Sequence, residues 1–165
     1  MPTPDIDAAE VLFRQIGSGG NPIYFDPSRT PAIHQSRFLP TKQDIDGLSL
    51  IRSRFRTHIW AAYRPEKDSE RFRLACLKVD TLRQKATQVG LSSLSFNATA
   101  DSLDERFGAP WAHCVAAEIN YTTYSGDSEA KKRIKEWAMK VAEMLTVDDV
   151  IGPFDKPTQS DPYRP

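Results

Sequence analysis

A chain of 165 residues and 18.6 kDa, 39% hydrophobic and 27% charged with a mean hydropathy of −0.50, is sized for one domain with a single core that buries roughly 70% of the unfolded surface. Lys plus Arg and Asp plus Glu both total 22, giving zero formal charge and a pI near 6.8, which excludes a protein living by nonspecific phosphate contact unless a local basic patch supplies it. No apolar run approaches the roughly 18 residues of a membrane span, and the first residues lack the basic and apolar regions of a signal peptide, so the expected location is the cytoplasm.

Residues 1 to 6 read as a loose leader. Asp7-Ala8-Ala9-Glu10 then has the D-x-x-E form of a capping box, and Ala8, Val11, Leu12 and Ile16 recur at helical spacing, so a short helix is expected there. Gly17-Ser18-Gly19-Gly20 ends it; these glycines follow the expected helix and lack the Lys-Ser/Thr of a phosphate-binding P-loop. Asn21 to Phe25 and Ala32 to Phe38 are β-prone runs separated by the turn formers Asp26 to Pro31. His34 lies in the second, where a lone histidine is more often structural than catalytic.

Arg37 to Arg52 carries the densest local chemistry. Asp46-Gly47 between apolar residues predicts a hairpin turn with Leu48 to Ile51 as the outgoing strand. A calcium loop is excluded by register: with Gly47 at the sixth position, the first and twelfth ligands would be Lys42 and Ser53. Asp44 and Asp46 are turn residues first, with a substrate-hydroxyl or single-metal role as the functional alternative.

From Arg52 to Pro65 two structures compete. A strand would line up Arg52, Arg54, Arg56 and His58 on one face at intervals of about 6.6 Å. A helix from Ser53 would bury Phe55, Ile59, Ala62 and Tyr63 and stop at Pro65, and is preferred.

Leu74 to Val79 is a continuous apolar run expected as a strand. Asp80 then caps a helix over Thr81 to Val89 that ends at Gly90, and Leu91 to Phe96 is expected as the next strand. Ser102 to Phe107 reads as one helical turn whose acidic start, with Asp101, Asp104 and Glu105, suits a helix N-terminus. Trp111 to Tyr121 is expected as a buried strand carrying His113. The longest element runs from Glu129 to about Leu145, with Ala130, Ile134, Trp137, Val141, Met144 and Leu145 on one stripe. Residues 152 to 165, with four prolines, read as an extended tail. Cys76 and Cys114 lack metal-site spacing and are expected as reduced core residues.

The order of elements predicts an α+β fold: one globular domain over residues 1 to 151, with a mixed or mainly antiparallel sheet packed by the long C-terminal helix. Phe38-x-Pro40-x-x-x-Asp44-x-Asp46-Gly47-Leu48-Ser49-x-x-Arg52, followed by Ala112-His113, resembles a loose pattern in small bacterial proteins, and the resemblance implies a bacterial accessory protein. Val79-Asp80-x-Leu82 through Gly90-Leu91 is similar to a part of ADP-ribosyltransferase-like folds, without the full Arg, Ser-x-Ser and Glu-x-Glu series that activity needs.

There is no Gly-x-Ser-x-Gly elbow, His-x-x-x-His pair or His-x-Ser/Thr motif. No metal or cofactor is expected. The leading expectation is a binding or regulatory module of an immunity-like or defence-associated kind, acting through a protein partner. The first alternative is a small enzyme acting on RNA, a nucleotide or another phosphorylated substrate, with His113 as acid or base, Asp44 or Asp46 as a second polar group and Arg52 as an anion clamp. The second alternative is non-catalytic nucleic-acid binding resting on Arg52, Arg54, Arg56 and Arg64, with Arg37 as a further candidate binding residue.

Overall fold

The computed structural model describes residues 5–18, 25–53, 72–99 and 111–154. Six strands, β1 (Val11–Ser18), β2 (Leu48–Arg52), β3 (Phe72–Lys78), β4 (Phe96–Thr99), β5 (His113–Ala116) and β6 (Val150–Phe154), form one sheet in the order β4-β5-β2-β1-β3-β6. Every neighbouring pair is antiparallel. With helices α1 (Val79–Gln88), α2 (Tyr121–Gly126) and α3 (Ser128–Met144), this is the expected α+β domain with a long C-terminal helix. Among the described residues no helix is long and apolar enough to cross a membrane.

Strand side chains alternate between faces, and residues directly opposite across a ladder share a face. Leu12, Leu48, Leu50, Ala75, Leu77, Cys114 and Ala116 therefore face the helices, where they join Leu82, Ile134, Trp137 and Val141 in one core. Phe13, Ser49, Ile51, Cys76, Thr99, His113 and Val115 lie on the opposite face by the same registers.

The helix signals were accurate where they combined a stripe with end chemistry. Asp127 caps α3 by accepting from the N–H groups of Glu129 and Ala130 at 2.9 and 3.2 Å. Ile134, Trp137 and Val141 are buried, and Trp137 Nε1 donates to the Leu82 carbonyl at 3.1 Å, fastening α3 to α1. At the end of α1, Gly90 has φ 78°, and the bonds Leu91 N–H to Ala86 O (3.0 Å) and Gly90 N–H to Thr87 O (3.2 Å) make a Schellman closure.

Elsewhere the structure differs from expectation. Residues 7 to 10 do make reciprocal turn bonds, Asp7 Oδ1 accepting from Ala9 N–H at 2.8 Å and Glu10 Oε2 from Asp7 N–H at 3.3 Å, but no helix follows. Val11-Leu12-Phe13 is a β-branched and aromatic start, and its pairing with β3 overrides the helical spacing. The turn instead supplies an end to α1: the Glu10 and Ala8 carbonyls accept from the N–H groups of Val79 and Asp80 at 3.0 and 2.9 Å. That helix starts at Val79, with Asp80 in its first turn and not at its cap.

Gln35–Phe38 is a 3-10 turn, not strand, with His34 Nδ1 accepting from Ser36 N–H at 3.1 Å and Phe38 buried. Asp46-Gly47 leads from a loop into β2, and no strand ends at this turn to make the expected hairpin. Glycine is needed there because φ is 138° and a Cβ would run into the Ala116 carbonyl, 2.8 Å from its carbon. The strand expected at Leu91 begins only at Phe96, and β5 is only four residues long before the chain turns into α2. β6 continues to Phe154, three residues past the domain end read from composition. The expected helices at 53–65 and 102–107 lie outside the described residues, apart from Ser53.

Replacing Trp137 by Ala should lower stability by about 3–5 kcal/mol, through the cavity and the lost indole bond. An unchanged urea midpoint would contradict its place in the core.

Candidate functional site

Strand β2 lies between β5 and β1, yet its ladder to β1 spans only Arg52 opposite Leu12 and Ile51 opposite Phe13. Two positions further on, where Ser49 would meet Gln15, side chains replace the ladder. Asp44 Oδ1 accepts from the Ser49 N–H at 3.3 Å, Arg14 Nη1 donates to the Ser49 carbonyl at 2.8 Å, and Arg37 Nη2 donates to the Gln15 carbonyl at 2.8 Å. Arg14 Nε also donates to the Arg37 carbonyl at 2.9 Å. Asp44 Oδ2 meanwhile accepts from Thr41 N–H and Oγ1 at 2.7 and 2.9 Å. Backbone polar groups away from water need partners, and here two guanidinium groups and one carboxylate provide them.

Held by its backbone, Ser49 projects Oγ onto the face away from the helices, 2.6 Å from His113 Nε2. On the other side of the ring, His113 Nδ1 is 2.8 Å from Thr99 Oγ1, which also donates to the His113 carbonyl at 3.4 Å. A threonine hydroxyl has one hydrogen; given to the carbonyl, it leaves an oxygen lone pair for Nδ1–H. In that Nδ1–H tautomer, Nε2 accepts from the Ser49 hydroxyl. Three adjacent strands thus contribute a hydroxyl, a base and an orienting group, all partly exposed. Ile51 and Val115 flank them: Ile51 is opposite His113, and Val115 is opposite Ser49.

The other residues singled out in the sequence are placed apart from this cluster. Arg52 follows Ile51 and projects to the opposite face, where its side chain is 0% exposed and paired with Glu10, itself 6% exposed. The pair is bidentate, Nε to Oε1 at 2.7 Å and Nη2 to Oε2 at 3.0 Å, with Asp5 O and Trp111 O as further acceptors at 3.1 and 3.5 Å. Asp44 is buried and meets the cluster only through the Ser49 backbone, and Asp46 is exposed. Arg37 holds β1, and Arg54, Arg56 and Arg64 lie outside the described residues.

His34 caps its 3-10 turn. Cys114 is buried in the helix-side core, and Cys76 is half-buried, its thiol pushed up by burial and by the nearby Asp149 carboxylate. Among the described residues no group of three His, Cys, Asp or Glu side chains is placed to hold a metal ion.

Ser49 and Thr99 escaped sequence reasoning because no local pattern links them to His113: Ser49 is 64 residues from it and Thr99 is 14. The available signal was strand alternation, which puts Ser49 on the face away from Leu48 and Leu50.

Glu10→Gln should destabilise the fold by about 3–5 kcal/mol, because it leaves the Arg52 charge buried without its counter-charge. The double variant Glu10→Leu, Arg52→Met should recover much of that loss in urea unfolding; equal midpoints for wild type and Glu10→Gln would refute the coupling. Comparison with protein-family models, with curated proteins and with solved structures finds no match to the chain.

Proposed function

We propose that the protein is a small enzyme of the ester-hydrolase or acyl-transfer type, with Ser49 as nucleophile, His113 as general base and Thr99 holding the imidazole. The observation that carries this reading is the chain of contacts Ser49 Oγ–His113 Nε2 at 2.6 Å and His113 Nδ1–Thr99 Oγ1 at 2.8 Å. A serine hydroxyl is a weak nucleophile until an adjacent base takes its proton, and the base works best when a third group fixes its tautomer.

As Ser49 Oγ bonds to a substrate carbonyl carbon, its proton passes to His113 Nε2, and Thr99 keeps the Nδ1–H of the resulting imidazolium in place. His113 then gives the Nε2 proton to the leaving oxygen as the carbonyl reforms, leaving an acyl-serine. Water or an acceptor alcohol reverses the sequence, with His113 again taking the proton.

The surroundings favour an uncharged acyl group over the phosphorylated substrates considered from sequence. Ile51 and Val115 border the cluster, and the Arg52 guanidinium that would have clamped a phosphate is engaged by Glu10 on the other face. A second reading, a module acting through protein contacts, is favoured by β4 (Phe96–Thr99), which ends the sheet order and carries no proline or charge.

The test is labelling by a fluorophosphonate probe, with the modified residue located by mass spectrometry, alongside hydrolysis of short-chain aryl esters. Wild type should label at Ser49, and Ser49→Ala should not. His113→Gln should lower the labelling and hydrolysis rates by about 10²-fold or more while remaining folded. Thr99→Val should lower them less. Wild type that neither labels nor hydrolyses any ester or thioester of the panel would overturn the proposal.

A further inference from the structure

The two edges of the sheet are built differently. β6 carries Gly152 at φ 109° and Pro153, which has no N–H, and its register against β3 slips between Phe72 and Leu74. Such an edge resists the addition of another strand. β4, with the sequence Phe96-Asn97-Ala98-Thr99, has no proline, no charge and no bulge.

Its ladder phase determines what it presents. The bond from Ala117 N–H to Ser95 O at 3.0 Å makes 95 and 117 a hydrogen-bonded pair, so Asn97 with Val115 and Thr99 with His113 are the next ones. Phe96 and Ala98 consequently direct their N–H and C=O groups away from β5, and among the described residues no group takes them.

We propose that this edge pairs with the same edge of a second copy of the chain, continuing the sheet across a two-fold axis. The interval between the two outward residues makes it self-complementary: with the axis at Asn97, Phe96 of each copy stands opposite Ala98 of the other. Each such pair exchanges two backbone hydrogen bonds, and the Asn97 carboxamides meet on the face away from the helices. Phe96 and Ala98 of both copies then lie together on the helix side, where Arg83 already stacks over the Phe96 ring at 5.3 Å. A four-residue strand gives a small contact, so the dimer forms at high protein concentration. The inference is independent of the chemistry at His113.

Sedimentation equilibrium of the full chain, from low micromolar to millimolar concentration, tests it. Wild type should shift from monomer towards dimer. Ala98→Pro deletes only the outward N–H and should weaken self-association by about tenfold or more. Asn97→Lys, at an exposed position, should weaken it roughly fivefold by placing two ammonium groups at the axis, and more salt should reverse part of that loss. Circular dichroism of both variants confirms that the fold persists. Wild type that stays monomeric throughout, or that binds extended peptides at β4 without self-associating, overturns the proposal. So does a dimer that both folded variants form as readily as wild type.

Discussion

A guanidinium keeps its charge at any pH a folded protein meets, so Arg52, fully buried, obliges the chain around it to supply acceptors. Glu10 provides the counter-charge, and Asp5 and Trp111 provide carbonyls. These three groups come from the N-terminal turn and the approach to β5, and Arg52 itself ends β2. The same N-terminal turn gives its Ala8 and Glu10 carbonyls to the start of α1. One buried charge thereby fixes where the first turn sits, and the position of that turn fixes where the first helix begins.

The other end of β2 is fixed by the same chemistry in reverse. At Arg52 backbone carbonyls satisfy a side chain; at Ser49 side chains satisfy the backbone. Asp44 and Arg14 stand where a strand would otherwise pair, so the peptide groups on both sides of Ser49 are bonded although the ladder has ended. The result is a serine on a sheet face, with its backbone braced from loop and neighbouring strand and its hydroxyl directed at His113.

Legibility in the sequence followed the range of the interactions. α3 could be read because its stripe, its Asp127 cap and its end are all local, and the same holds for Gly90 closing α1. β1 could not, because the Asp7 to Glu10 turn is a true local signal that is reused by α1 at long range, while the strand itself is decided by β2 and β3. Asp44, Arg37 and Arg52 were noticed for the chemistry their side chains offer to a ligand. The structure employs that hydrogen-bonding capacity on its own backbone and on one buried carboxylate. His113 was recognisable as a histidine among small apolar neighbours, but its partners are two hydroxyl residues of a kind that occurs throughout the chain. Only the register of three strands brings them together.

Gly47 sits two residues before Ser49 and lies against the Ala116 carbonyl, closer than any side chain would allow. Contact between two main chains therefore sets the spacing of β2 and β5 at that point, without an intervening layer of side chains. A side chain at position 47 would push β2 away from β5 and widen the gap between Ser49 and His113. The one residue without a side chain thereby gauges, peptide against peptide, how closely the serine strand approaches the histidine strand.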